Sequence, residues 1–168
     1  MIKTYVESIR KAVEEQNWYA ALALALAIPD ICGSIEQPKR SSSKRYVSWY
    51  NKFVAPRFRE VFSDATGSLL LRGSDCYALR CSFLHNGFED ISEQQAQRVL
   101  ETFYFVEPLK NWSFNTRARG TMLIIQVDRF CLLICNAADS WLDNRGSRDF
   151  AEQSFLIIRN PRTDGIPL

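Results

Sequence analysis

Residues 17–28 read NWYAALALALAI, a pattern that fits either a strand or a helix. The leucines at 22, 24 and 26 alternate with alanines, as in a strand with one buried face. Alanine, however, is the best helix former and a poor strand former, so we expect a helix from Trp18 to about Ile35. Asn17 is its predicted N-cap, and Pro29 is expected to kink or restart it.

Helical patterns continue on both sides of this stretch, because apolar residues recur there at helical spacing. Further helices are predicted over residues 3–16, 44–53, 57–62, 75–85 and 92–100. Ser74 is the expected N-cap of the helix at 75–85. Asp128 is expected to cap a last long helix, whose apolar stripe consists of Phe130, Leu133, Ile134, Ala137, Ala138 and Trp141.

Two segments, 102–106 and 121–127, are rich in aromatic and β-branched residues and are predicted strands. A loop is expected between them, and Ser154 to Arg159 is a candidate final strand. The predicted fold is mainly α: a helical bundle with a small antiparallel β hairpin. It forms a single domain over residues 1–168, with a helical core at about 3–142 and the hairpin at about 102–127 inserted before the last long helix.

Composition restricts the class of protein. The chain has 168 residues, 46% of them hydrophobic and 24% charged, which is typical of one globular domain and excludes a disordered or fibrous chain. The pattern shows no membrane span and no signal peptide, and five cysteines without a CxxC pair fit reduced thiols, so we expect a cytoplasmic protein. With a single histidine, no metal site and no cofactor are predicted.

The net charge of +2 conceals a segregated distribution. Residues 37–59 carry seven cations and no acid, residues 108–127 carry three cations and no acid, and the remainder carries a net charge of −8. Such segregation indicates either a polyanionic partner or a solvated basic face. The candidate RNA-binding residues are Lys39, Arg40, Lys44, Arg45, Arg117 and Arg119. Bases could stack on Trp49 or Tyr50, although aromatics at this spacing more often belong to a core.

One pair of residues suggests a catalytic site: Arg80 precedes the only histidine, His85, by five residues. The surrounding segment, residues 73–87, reads GSDCYALRCSFLHNG and resembles the signature helix of the HEPN superfamily, in which an R-x4–6-H motif lies in an all-helical domain. The Tyr-x-x-Arg-x-x-x-x-His-Asn-Gly texture is most similar to bacterial HEPN families carried by plasmids and phages.

The resemblance implies a metal-independent endoribonuclease, with a role in toxin or antiphage systems and a cognate antitoxin or regulator. Arg80 would hold the phosphate oxygens, and His85, the one side chain here that ordinarily titrates near neutral pH, would move the proton. Attack by the ribose 2′-OH leaves a 2′,3′-cyclic phosphate. Positions five apart lie about 140° around a helix. Either the helix therefore ends before His85, or two copies of the motif meet in a homodimer.

Two alternatives remain open at this point. A non-catalytic HEPN-like module would use the same residues to bind RNA, nucleotides or a protein partner. In a purely structural helical scaffold, Arg80 would pair with an acid such as Asp75 or Glu89, and His85 would cap the helix. For Asp75 itself, a helix-capping role is expected.

Overall fold

The fold is mainly helical, as predicted, with a small sheet before the last helix. A computed structural model describes residues 1–62, 71–84, 93–108, 116–119 and 122–145, with the backbone alone described for 61–62, 93–97, 116–119 and 122. The helices are α1 (Ile2–Glu14), α2 (Trp18–Glu36), α3 (Ser42–Trp49), α4 (Ala55–Phe62), α5 (Gly73–Leu84), α6 (Glu93–Thr102) and α7 (Val127–Arg145). The strands are β1 (Phe103–Val106), β2 (Thr116–Arg119) and β3 (Met122–Gln126).

Helix α2 is the centre of the bundle and packs against α1, α3, α5 and α7. The alternation of alanine and leucine is explained by this position, because a helix that is apolar all round is surrounded by other elements. Ala21 and Ala25 are fully buried, and their small side chains allow neighbouring helices to approach closely. The Asn17 side chain accepts a hydrogen bond from the Ala20 N–H, which confirms the predicted N-cap. The helix continues through Pro29 without restarting.

The composition of α2 also bears on membranes. This helix is long and apolar enough to cross a bilayer, with a mean hydropathy of 1.5 over its most apolar 18-residue window. The core helix of a soluble protein meets the same criterion. The expectations of no membrane span and of a cytoplasmic location therefore stay predictions.

The chain from Ser42 to Phe62 is helical throughout, although two separate helices were predicted there. A π-helical turn, Tyr50–Val54, joins α3 to α4. In this turn the Ala55 N–H bonds to the Tyr50 carbonyl, five residues back. A proline breaks an α-helix through its missing N–H and its clash with the carbonyl four residues earlier. The wider turn just before Pro56 avoids that arrangement, so the helix does not end there.

The sheet differs from the predicted hairpin in its pairing. Its strand order is β1-β3-β2, with β1 parallel to β3 and β2 antiparallel to β3. The segment predicted as a loop contributes β2, whose Thr-Arg-Ala-Arg sequence pairs from Thr116↔Ile125 to Arg119↔Met122. Two residues separate β2 from β3 in sequence, which permits only a hairpin. The 15 residues between β1 and β3 are enough to bring the chain back in the same direction.

The buried core follows the predicted stripes. All six predicted apolar residues of α7 are buried, among them Phe130 and Trp141. Phe105 of β1 packs edge-on against Phe130 at 5.1 Å between ring centroids, which joins the sheet to the bundle. Gly33 of α2 faces α3 so closely that an added Cβ would lie 2.8 Å from the Arg45 carbonyl oxygen. The predicted strand at Ser154 to Arg159 lies outside the described residues.

Candidate nucleic-acid site

Arg80 lies on α5 and pairs with an acid that the sequence analysis did not single out. Its Nη2 donates to Oδ2 of Asp30 at 3.0 Å, and the two side chains are only 14% and 15% exposed. Its Nη1 makes only a weak contact of 3.9 Å with Sγ of Cys81. Its Nε is buried without a hydrogen-bond partner in the described part of the chain. The Arg80 guanidinium is therefore held by Asp30 at Nη2, while Nε is buried and Nη1 has only the weak contact with Cys81.

Asp30 binds more than one cation. Its Oδ1 accepts from Nε of Arg45 at 2.9 Å and from Oγ of Ser42 at 3.0 Å, both on α3. Two guanidinium groups thus share one carboxylate, and the cluster of the three side chains carries a net charge of +1. Buried charge of this kind requires a partner. The cluster connects α2, α3 and α5, and it brings the motif arginine next to the basic helix.

A signal for Asp30 is present in the sequence. It is the only charged residue between Glu15 and Glu36, on a helix that is otherwise apolar. An isolated acid on a buried helix must find a cation within the fold, because its desolvation is otherwise too costly. The pattern indicates that Asp30 has a partner, but the identity of that partner depends on how α3 and α5 pack.

Asp75 does not pair with Arg80 and instead has the expected capping role. Its Oδ2 accepts from the backbone N–H of Arg72 at 3.3 Å, just before the first residue of α5, and its Oδ1 accepts from Nη2 of Arg98 at 2.9 Å. The predicted cap at Ser74 is wrong, since α5 begins one residue earlier, at Gly73. His85 and Glu89 lie outside the described residues.

Three of the predicted RNA-binding cations lie around one groove, of about 720 Å³, which we call the basic groove. It is lined by Lys39, Arg40, Ser41, Ser43, Lys44, Val47 and Ser48. The three cations are exposed, and none of the lining side chains is acidic. The N-terminus of α3 lies within this groove, and its first turn adds positive potential. The basic groove therefore has the charge that a phosphate backbone requires.

The other predicted cations have different surroundings. Arg45 is bound to Asp30 and is 23% exposed, so it belongs to the charge cluster rather than to the groove. Arg117 and Arg119 lie on β2, a strand where a loop was predicted, because this segment pairs with β3. Their side chains lie outside the described part of the structure.

The aromatic residues proposed for base stacking belong to the core. Trp49 is 1% exposed and Tyr50 is fully buried. The Tyr50 hydroxyl donates to the Leu71 carbonyl at 3.2 Å, and the Tyr46 hydroxyl donates to the Leu26 carbonyl at 3.1 Å. The core alternative is therefore confirmed for Trp49 and Tyr50, and stacking on either ring is excluded in this arrangement.

The structure has a second groove, of about 490 Å³, which we call the aromatic groove. It is lined by Glu36, Gln37, Lys52, Phe53, Trp141, Asn144 and Arg145. Lys52 lies over the ring of Phe53, with Nζ 4.7 Å from its centroid, and Arg145 lies 5.3 Å from the ring of Trp141. The Trp141 indole donates to Oε1 of Glu36 at 2.9 Å. Sequence reasoning missed this groove, because its residues come from α2, the π-helical turn and α7.

The cysteines are buried and their thiols are suppressed as nucleophiles. Burial raises the pKa of Cys76 to about 12 and that of Cys135 to about 11, from an ordinary value of 9.0, and it raises the pKa values of Cys32 and Cys131 further. Among the described residues, no three His, Cys, Asp or Glu side chains come together in a way that could hold a metal ion.

These raised pKa values predict alkaline destabilisation. The unfolded thiols ionise above pH 9, whereas the folded ones stay neutral to pH 11 or higher, so their contribution is complete below pH 9 and is lost above it. We expect the free energy of unfolding to fall by up to about 1.4 kcal/mol per pH unit for each thiol. Urea denaturation between pH 8 and 11 measures this, and Cys76→Ala should give a shallower fall. A flat profile would contradict the prediction.

Comparisons of the chain with protein-family models, with curated proteins and with solved structures find no match. The HEPN resemblance therefore stays a prediction that rests on residues 73–87.

Proposed function

We propose that this protein is a metal-independent endoribonuclease that binds RNA in the basic groove and cleaves it with Arg80 and His85. The observation that carries the proposal is the Asp30 cluster. Through Arg45 and Ser42, Asp30 ties the motif arginine to α3, the helix that lines the basic groove. The α3 residues that bind Asp30, Ser42 and Arg45, lie roughly opposite the α3 residues that line the groove. An RNA strand bound to Lys39, Arg40 and Lys44 would therefore continue around α3 to reach the helix that carries the motif.

The chemistry assigns a role to each side chain. The ribose 2′-oxygen attacks the adjacent phosphorus, its proton leaves to water, and the bond from phosphorus to the 5′-oxygen breaks. Arg80 would stabilise the charge that develops on the non-bridging oxygens through Nη1, which would turn from Cys81 toward the phosphate, since Nε is buried. His85 as imidazolium donates a proton to the departing 5′-oxygen. The products are a 2′,3′-cyclic phosphate and a 5′-hydroxyl. In this scheme Asp30 positions Arg80.

The proposal includes a homodimer, since a second copy would bring two motifs to one cleft. Supporting it is an exposed apolar patch at the end of α5 that precedes His85. Tyr19 is 79% exposed and stacks on Phe83, which is 40% exposed, and the next residue along α5, Leu84, is 38% exposed. Apolar exposure of this kind is typical of interaction surfaces. Sedimentation of the purified protein checks this point, and a monomer at every concentration would contradict the paired site.

The direct test is an RNA cleavage assay in EDTA. We expect the wild-type protein to cleave mixed RNA and to leave DNA intact, because DNA lacks the 2′-OH. His85→Ala should lose at least about a hundredfold of the rate, the range for a general acid. Equal background cleavage by wild-type and His85→Ala would refute the ribonuclease.

A second candidate is a non-catalytic RNA-binding module, and one observation favours it. Arg80 is only 14% exposed and is paired to Asp30, so RNA could occupy the basic groove without reaching Arg80. Unlike the binding module expected from the sequence, this module would not contact RNA through Arg80 and His85. RNA binding would then depend steeply on salt, no cleavage would occur, and His85→Ala would leave the affinity unchanged.

A further inference from the structure

The aromatic groove adjoins the basic groove at Gln37. Gln37 lines the aromatic groove, while its Nε2 donates to Oγ of Ser48 at 3.2 Å and its Oε1 accepts from Nη1 of Arg40 at 3.1 Å. Ser48 and Arg40 both line the basic groove. One carboxamide therefore separates the two grooves, and a ligand with two ends could occupy both.

The side chains of the aromatic groove match a planar ligand that forms hydrogen bonds. Phe53 is partly buried, whereas Trp49, whose ring packs against it, is buried. Lys52 is 65% exposed, so its ammonium can leave the ring face when a flat group stacks there. Around the ring, the Asn144 carboxamide offers donors and an acceptor. Gln37 and Glu36 add only the capacity left by their bonds to Ser48 and Arg40 and to Trp141 and Lys52, the Lys52 Nζ lying 3.8 Å from Glu36 Oε1. Glu36 is held in place by the Trp141 indole.

The charges and the size of the groove point the same way. Lys52 and Arg145 outweigh Glu36, so the lining carries a net charge of +1 and favours a ligand with an anionic part. Its volume of about 490 Å³ is within the range of small-molecule sites. The π-helical turn directs two consecutive residues, Lys52 and Phe53, into this groove, and such turns are frequent at functional sites.

We propose that the aromatic groove is a nucleobase subsite, in which the base of a bound nucleotide stacks on Phe53 while its phosphate lies in the basic groove. This inference rests on the proposed function, because it assigns the phosphate to the basic groove. It makes single-stranded RNA the substrate class, since a base that stacks on a protein side chain is unpaired. The carboxamides of Gln37 and Asn144 contact the edge of the base.

The test compares adenosine 5′-monophosphate with ribose 5-phosphate, which has the same phosphate and sugar but no base. Ligand-observed NMR titration of the full chain at low salt measures both affinities. We expect adenosine monophosphate to bind at least about fivefold more tightly, which is the lower end of base–aromatic stacking. Phe53→Leu keeps an apolar side chain but removes the ring. In this variant adenosine monophosphate and ribose 5-phosphate should bind with about equal affinity, while the affinity for ribose 5-phosphate stays at the wild-type value.

Two further variants keep the test decisive. Asn144 is exposed, so Asn144→Ala should reduce the preference without disturbing the core on which Phe53 packs. Tyr104 is an exposed aromatic on β1, and Tyr104→Leu should change neither affinity. Equal binding of the two probes by the wild-type protein, or a preference that survives both groove variants, overturns the nucleobase subsite and leaves the basic groove intact. If neither probe binds and Lys44→Glu leaves RNA binding unchanged, the proposed function fails, and the subsite fails with it.

Discussion

Asp30→Ala is expected to lower the free energy of unfolding by about 3–5 kcal/mol, the cost of removing one partner from a buried ion pair. The Asp30 carboxylate is 15% exposed and accepts hydrogen bonds from Arg80, Arg45 and Ser42. Without it, two guanidinium groups remain close together in a largely buried place with no counter-charge. Part of the loss will be relieved by Arg45, which is 23% exposed and can turn toward solvent.

Urea denaturation at pH 7 measures the change, with Asp139→Ala as the matched control. Asp139 pairs with Arg10 at 2.6 Å, but these two side chains are 39% and 40% exposed. Because water screens the control pair, we expect its loss to cost no more than about 1 kcal/mol. If Asp30→Ala is as mild as Asp139→Ala, the cluster is not the electrostatic link between α2, α3 and α5.

Removing the three exposed cations of the basic groove should change how RNA binding responds to salt. Each phosphate contact with a single strand contributes about 0.7 to the slope of log affinity against log salt. The triple variant Lys39→Ala, Arg40→Ala, Lys44→Ala should therefore lower the slope by about 2, with a large loss of affinity at low salt. Fluorescence anisotropy with a labelled single-stranded RNA, from 50 to 300 mM salt, measures the slope.

The control for this variant must remove the same charge from another surface. Lys3, Lys11 and Arg129 are exposed and lie on α1 and α7. Replacing these three with alanine gives the same net charge as the groove variant. We expect this control to keep the wild-type slope, because the residues do not line the groove. An equal fall of the salt slope in both variants would show that RNA binding depends only on the net charge of the protein.

Local sequence patterns predicted the helices well, because helix formation and capping depend on residues only a few positions apart. The Asn17 cap, the central apolar helix and the buried stripe of α7 were all identified in this way. The parallel pairing of β1 with β3 was not, since strand direction depends on the path of the intervening chain. Continuity across Pro56 was also missed, because an α-helical pattern does not show a π-helical turn.

The candidate site was predictable only in part, for a similar reason. The basic groove follows from a run of cations in one segment, so its residues were found in advance. The Asp30 cluster joins residues 30, 45 and 80, and the aromatic groove joins residues from 36 to 145. Contacts between residues so far apart in sequence depend on how the helices pack, and the residue spacing within one segment does not predict them.

The π-helical turn imposes a constraint on chain length. Four buried residues, Tyr46, Tyr50, Val54 and Phe58, recur every four positions. In an ideal α-helix, two residues four positions apart differ by about 40° around the helix axis, so this stripe would rotate away from the core. The wider π-helical turn compensates for that rotation. Losing one residue from the turn would restore α-helical spacing and keep Phe58 on the buried face, but it would place Pro56 inside a regular α-helix, whereas gaining one residue would bring Arg57 into the place of Phe58. Natural variants of this segment should therefore exchange amino acids far more readily than they gain or lose one.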